Sequence, residues 1–154
     1  MTIAVGAKAP DFNLPATDGK VFSLADFKGK KVVIYFYPKD DTSGCTLEAH
    51  DFQKLLNDFS SAETSVVGVS PDSLKSHDKF CGKHNLTFPL LSDEEKVMLS
   101  AYGVWVEKSM YGRKYMGVER TTVLIDSQGT IARIWNKVKV PGHAEEVLAA
   151  AKDL

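Results

Sequence analysis

The sequence predicts an α/β fold built on a mixed sheet, and three observations carry that reading. Val32–Tyr37 and Ser65–Ser70 are runs of β-branched, aromatic and small residues, with the continuous character of strands buried on both faces. Each is followed by a segment with helical spacing of apolar residues. Further on, Thr121–Ile125 and Thr130–Trp135 are joined by Asp126-Ser127-Gln128-Gly129, a short loop ending in glycine, as in an antiparallel hairpin. Strand–helix alternation first, then a hairpin and a closing helix, puts parallel and antiparallel pairing into one sheet.

In chain order, residues 2–31 are irregular, punctuated by Pro10, Pro15, Asp18-Gly19 and Gly29. The Asp18-Gly19 pair between short apolar pieces is a hairpin signal. Val32–Tyr37 follows as the predicted sheet centre, and Pro38 stops it because proline offers no N–H to a ladder. Asp40, Asp41, Thr42, Ser43 and Gly44 are loop and cap formers. A helix is predicted from Cys45 onward, with Leu47, Phe52, Leu55, Leu56 and Phe59 as its apolar stripe. After Ser65–Ser70, the sequence Ser70-Pro71-Asp72-Ser73 reads as the start of a helix running to His84 or Asn85, with Leu74, Phe80 and Cys81 inward. Phe88–Leu91 reads as a short apolar strand or extended piece. Ser92-Asp93-Glu94-Glu95 has the spacing of a capping box for a helix that ends at Gly103. Residues 104–119 read as a loop or an edge strand. Ala144–Leu154 closes the chain as a helix with Val147, Leu148 and Ala151 inward. This order suits a thioredoxin-like fold, with a mixed central sheet flanked by helices.

Composition narrows the function classes. The chain has 154 residues, the size of one ordinary domain spanning 1–154. Hydrophobic residues make up 44% and charged residues 25%, a normal globular balance. A formal net charge of -1 and the lack of a Lys/Arg run give no pointer to nucleic acid. The start carries no charged segment followed by a long apolar stretch, so nothing reads as a signal peptide, and no run is long and apolar enough for a membrane span. Two cysteines without an export signal point to a reducing, cytoplasmic setting, where thiols are more often catalytic than structural.

Cys45 stands where its helix begins. The unpaired N–H groups of a first turn and the positive end of the helix dipole both favour a thiolate there. An ordinary thiol, with a pKa of about 8.5, is only a few per cent ionised at neutral pH. Lowering it to about 6 takes roughly 3.4 kcal/mol at ~1.36 kcal/mol per unit. A helix end supplies about 0.3–1 kcal/mol, or ~2 when partly buried. A cation or a further donor is therefore needed. Thr42, three residues earlier, is the local candidate: its hydroxyl can meet the thiolate or a substrate oxygen, or merely cap the helix. Pro38 can pack over the thiol and exclude water, or simply stop the strand.

The segment Pro38-Lys-Asp-Asp-Thr42-Ser-Gly-Cys45 resembles the P-x-x-x-[ST]-x-x-C signature of peroxiredoxins, thiol peroxidases built on a thioredoxin-type fold. FYPKDDTSGCTLEAHDF, GVSPDSLKSHDKF, FPLLSD and the stretch from Met110-Tyr111-Gly112 to Arg120-Thr121 extend the likeness to the bacterioferritin comigratory protein (peroxiredoxin Q) group, over nearly the whole chain. The resemblance implies that Cys45 is the peroxidatic cysteine, with Pro38 and Thr42 in its site. It also supplies the missing cation, Arg120 at the head of Thr121–Ile125. A forked, always-charged guanidinium suits both a thiolate and the two peroxide oxygens. Glu48, a helical turn after Cys45, would raise the thiol pKa unless turned towards Arg120 or the helix N–H groups, and is a possible orienting residue.

By the same resemblance Cys45 becomes a sulfenic acid, which a second thiol must resolve. Many members of the group place that cysteine five residues after the first, where this chain has His50. A subset places it in the helix that here carries Cys81, so the resemblance implies an intramolecular Cys45–Cys81 disulfide. A bridge needs the two Cα atoms within about 7 Å, so the first turn after Cys45 and part of the helix carrying Cys81 are expected to unwind when it forms. The implied substrates are hydrogen peroxide and organic hydroperoxides, the implied reductant is thioredoxin or a similar dithiol protein, and the implied state is a monomer. His50, His77, His84 and His143 show no metal-ligand spacing, and no cofactor is expected. Three other readings stay open: a dithiol–disulfide oxidoreductase, against which the lack of Cys-x-x-Cys speaks; a redox-sensing binding module; and a one-cysteine peroxidase using an external thiol.

Overall fold

The computed structural model describes residues 3–154. A short hairpin of β1 (Asn13–Pro15) and β2 (Val21–Ser23) opens it, turning through Thr17–Gly19. Next come β3 (Lys31–Phe36), α1 (Ser43–Lys54), α2 (Leu56–Ser61), β4 (Thr64–Ser70), α3 (Leu74–His84), β5 (Leu90–Ser92) and α4 (Val97–Ala101). The hairpin β6 (Trp105–Met110) and β7 (Arg113–Val118) precedes β8 (Thr121–Ile125), β9 (Ile131–Trp135) and α5 (His143–Lys152).

The main sheet has the order β5-β4-β3-β8-β9. β3 pairs parallel with β4 and antiparallel with β8, and β4 pairs parallel with β5. The mixed α/β class expected from the sequence is therefore what forms, with β3 at its centre. Alternation along β3 divides the core. Val32, Ile34 and Phe36 face a cluster with Phe12, Met98, Leu99 and Tyr102. Val33, Tyr35 and Tyr37 face the opposite cluster, with Phe52 of α1, Phe59 of α2, Phe80 of α3 and Val147 of α5. Cys45 belongs to this second layer. The Tyr35 ring stacks on Phe52 with centroids 4.8 Å apart. Gly68, paired to Tyr35 across the sheet, makes the room: a Cβ there would lie 2.8 Å from Leu90 Cδ2 and 2.9 Å from the Tyr35 ring.

Four expectations are corrected. The helix after Cys45 is broken at Leu55, and Leu47 is exposed; the inward face of α1 is Cys45, Glu48, Ala49 and Phe52. In α3 the fully inward residues are His77 and Phe80, while Leu74 and Cys81 are half-buried. Ser92 opens no capping box: it ends β5 and donates its hydroxyl to the Asp72 carbonyl at 2.6 Å. Asp93 instead accepts from the N–H groups of Val97 (3.1 Å) and Leu99 (2.7 Å) and so starts α4. Residues 105–118, finally, form a separate two-stranded hairpin closed by Tyr111-Gly112, both with positive φ (52° and 76°), as a two-residue primed turn requires.

Candidate active site

The β3 ladder runs one residue past the strand, Tyr37 N–H donating to the Val69 carbonyl at 3.1 Å, and stops at the half-buried Pro38. The chain reverses through Asp41, which takes a left-handed conformation (φ 63°). Thr42 is extended and its carbonyl accepts the first helical bond, from Thr46 N–H at 2.8 Å. Cys45 is thus the third residue of α1, in the turn whose N–H groups have no helical partners, with only 2% of its surface exposed.

Register brings Arg120 to the same place. Thr121 pairs with Phe36, so the residue before β8 lies beside the strand end from which the Cys45 loop departs. The backbone there is held on both sides, Glu119 N–H donating to Val104 O at 2.8 Å and Val138 N–H to Arg120 O at 2.9 Å. The guanidinium then reaches two residues of α1: Nη2 donates to Cys45 Sγ at 3.2 Å and Nη1 to Glu48 Oε1 at 2.5 Å.

Glu48 is 1% exposed, and its second oxygen, Oε2, meets no hydrogen-bond partner among the described residues. Burial pushes this carboxyl up to about 7, against the downward pull of the Arg120 charge and hydrogen bond. For Arg120, burial works against the charged form, but Glu48 and the Cys45 sulfur outweigh it and hold the guanidinium above its ordinary value. Arg120 therefore stays a cation at any working pH.

The Thr42 hydroxyl donates to the Lys39 carbonyl at 2.9 Å, so it neither caps α1 nor points its proton at the sulfur. Its oxygen keeps its lone pairs as acceptors. Cys81, on α3, is half-buried and lines an open cleft of about 550 Å³ with Thr17, Asp18 and Asn85. Both cysteines are free thiols. Burial pushes the Cys81 thiol up to about 12, with Asp40 and Asp78 adding to the shift.

One residue to which sequence patterns gave no role, His77, sits behind the loop and is tied to Asp40 within it. His77 is completely buried, with Nδ1 2.7 Å from Asp40 Oδ2 and Nε2 3.0 Å from the Leu91 carbonyl oxygen. Asp40 also accepts from Tyr37 OH (2.6 Å) and Ser76 Oγ (2.8 Å), and its N–H donates to Asp72 Oδ2 at 2.8 Å. Asp40, Asp72 and His77 are close enough for a cation, but both Asp40 oxygens and Asp72 Oδ2 already receive protein donors, so the group is a hydrogen-bond network. No local motif encodes it, because its members come from separate elements.

Comparison with known proteins adds lineage to this geometry. The AhpC/TSA family model matches residues 5–134. A putative peroxiredoxin bcp of Coxiella burnetii is 53% identical over 148 residues, covering 96% of this chain and 98% of that one. Among solved structures, a mutant of Xylella fastidiosa PrxQ superposes with a TM-score of 0.94 at 40% identity, covering 99% of this chain and 98% of the other. A structure of Xanthomonas campestris bacterioferritin comigratory protein, described for its alkyl peroxide reduction activity, gives a TM-score of 0.89 at 45% identity, covering 92% and 90%.

Proposed function

Since this chain belongs to the AhpC/TSA family and, within it, to the Bcp/peroxiredoxin Q group, we propose that it reduces hydroperoxides through Cys45, with Arg120 as the group that makes the sulfur reactive. The observation that carries the reading is the 3.2 Å contact between Arg120 Nη2 and Cys45 Sγ at the N-terminus of α1. A guanidinium and a helix mouth both present donors and positive charge to the sulfur.

In this mechanism the Cys45 thiolate attacks one peroxide oxygen. An S–O bond forms, the O–O bond breaks, and the other oxygen leaves as an alkoxide or hydroxide that takes up a proton. Arg120 donors stabilise the charge developing on the oxygens. Glu48 aims the guanidinium, Pro38 limits water at the strand end, and the Thr42 oxygen accepts from the peroxide O–H. The alkyl peroxide activity described for the Xanthomonas protein supports organic hydroperoxides as substrates beside hydrogen peroxide.

The resulting Cys45 sulfenic acid is resolved by Cys81 as an intramolecular disulfide, then reduced by thioredoxin or a similar dithiol protein, with the chain acting as a monomer. Cys45 begins α1 while the half-buried Cys81 lies inside α3, and a bridge needs the two Cα atoms within about 7 Å, so in this scheme α3 loosens before resolution. Stopped-flow peroxide consumption with thioredoxin and its reductase, in wild type, Cys45→Ser and Cys81→Ser, tests the scheme. Turnover should vanish in Cys45→Ser and fail to recycle in Cys81→Ser. Full thioredoxin-dependent turnover in Cys81→Ser would instead make this a one-cysteine enzyme.

A further inference from the structure

Helix α3 carries Cys81, yet its first turns are tied to the loop that presents Cys45. Ser76 Oγ and His77 Nδ1 both meet Asp40 Oδ2, at 2.8 and 2.7 Å, and Asp40 stands in that loop two residues after Pro38. The other oxygen, Oδ1, accepts from Tyr37 OH at the end of the β3 ladder. Strand end, catalytic loop and helix therefore converge on one carboxylate. His77 is 0% exposed and Asp40 6%, so water does not compete for these bonds.

Hydrogen bookkeeping fixes the protons. Nε2 of His77 faces a carbonyl oxygen, which only accepts, so Nε2 carries a hydrogen. Nδ1 faces a carboxylate oxygen at 2.7 Å, so a second proton lies on that line as well. His77 and Asp40 hold it jointly, as an imidazolium–carboxylate pair or as its neutral tautomer. Losing either partner strands the other in a dry interior.

His77 and Cys81 are four residues apart and so occupy adjacent turns on one side of α3. For Cys81 to leave, α3 must either break just after His77 or let go of Asp40. We propose that His77 and Ser76 are positioning residues of the peroxidase cycle. Acting through Asp40, they set the rate at which α3 yields Cys81. This deepens the Cys45–Cys81 reading and rests on it. In the bond-forming step the Cys81 sulfur attacks the sulfenic sulfur of Cys45. An S–S bond forms, the S–O bond breaks, and the hydroxyl leaves as water with the Cys81 proton. The latch takes no part in that exchange; it governs how often the thiol is free to make it. A weaker latch raises the population of opened α3 and so the observed resolution rate.

The test is rapid mixing of the full chain with peroxide, following tryptophan fluorescence and intact mass after acid quench, in wild type, His77→Gln, His77→Asn and Ser76→Ala. The glutamine reaches Leu91 but not Asp40, whereas the asparagine nitrogen takes the place of Nδ1 and keeps a bond to Asp40. Resolution should quicken roughly tenfold in His77→Gln and about threefold in Ser76→Ala, with His77→Asn nearest to wild type. Oxidation of Cys45 by peroxide should stay within about threefold of wild type, and less sulfinic acid should accumulate per turnover. If His77→Gln does not fold, Ser76→Ala, which loses a single hydroxyl, decides alone. A lowered denaturation midpoint with an unchanged or slower resolution rate would assign the pair a purely structural role and overturn the latch. A wild type that forms no Cys45–Cys81 bond overturns the resolving role of Cys81 and the latch with it, a result separable from the first by mass.

Discussion

Cys45 and Glu48, both on the buried face of α1, share one guanidinium: Arg120 gives Nη2 to the sulfur at 3.2 Å and Nη1 to the carboxylate at 2.5 Å. The carboxylate fixes the fork so that its second arm falls on the sulfur. It also offsets part of the positive charge the sulfur would otherwise feel.

Replacing Arg120 therefore removes charge and aim together. Arg120→Ala should slow peroxide oxidation of Cys45 by about 10²–10³-fold, the usual cost of losing a donor to developing charge. Arg120→Lys should recover little of this, because one ammonium cannot bridge sulfur and carboxylate in the same fork. Single-turnover fluorescence at several peroxide concentrations reads the rate constant directly; near-wild-type rates in Arg120→Lys would show that a point charge suffices.

Glu48 links the site to stability. Its folded carboxyl, held at about 7 against an ordinary 4.5, binds a proton that the unfolded chain has already released over that interval. The native state thus holds more protons, and stability falls as pH rises from 4.5 towards 7, by up to roughly 3 kcal/mol from this group. Glu48→Gln should flatten the decline. Urea denaturation of both proteins at a series of pH values checks it, and parallel curves would remove Glu48 as the source.

Cys81 should resist alkylation in the native reduced protein. With its thiol pushed up to about 12, modification by iodoacetamide near neutral pH should be slow in the native protein and rise by orders of magnitude in denaturant. Peptide mapping after timed quenching separates Cys81 from Cys45. Rapid native labelling at Cys81 would show that its thiol is not held protonated by its surroundings.

Gly68→Ala should destabilise the fold by about 1–3 kcal/mol, since its Cβ would press on the Tyr35 ring and Leu90. The displaced ring leans on Phe52 of α1, so peroxide oxidation should slow as well. Thermal unfolding and stopped-flow rates measure the two effects on one sample.

Much of this architecture was legible from the sequence because it is written in continuous stretches. The buried strands β3 and β4, the β8–β9 hairpin, and the helices after Ser73 and Gly142 each carry a local signature of β-branched runs, turn residues or periodic apolar positions. The β6–β7 hairpin escaped because its strands are largely exposed, rich in Lys, Tyr and Met, and turn at Tyr-Gly in place of the commoner Asn-Gly or Asp-Gly. At the start of α4 a plausible capping box lost to Asp93, whose two oxygens serve two N–H groups at once. Leu47 sits at helical spacing yet faces water, because the inward positions of α1 are taken by Cys45 and Glu48. In the site, spacing located Cys45 and family likeness supplied Arg120. Nothing in the chain announces the Asp40–His77 contact, made between residues 37 positions apart, or the turning of the Thr42 hydroxyl onto Lys39.

The interruption at Leu55 limits how far any unravelling can spread. α1 and α2 are separate hydrogen-bonded units, and α2 keeps its own packing on β4 and α5. On the proposed cycle, a disordering that begins at Cys45 would meet a firebreak within three turns, and the wall behind the reactive corner would stay standing.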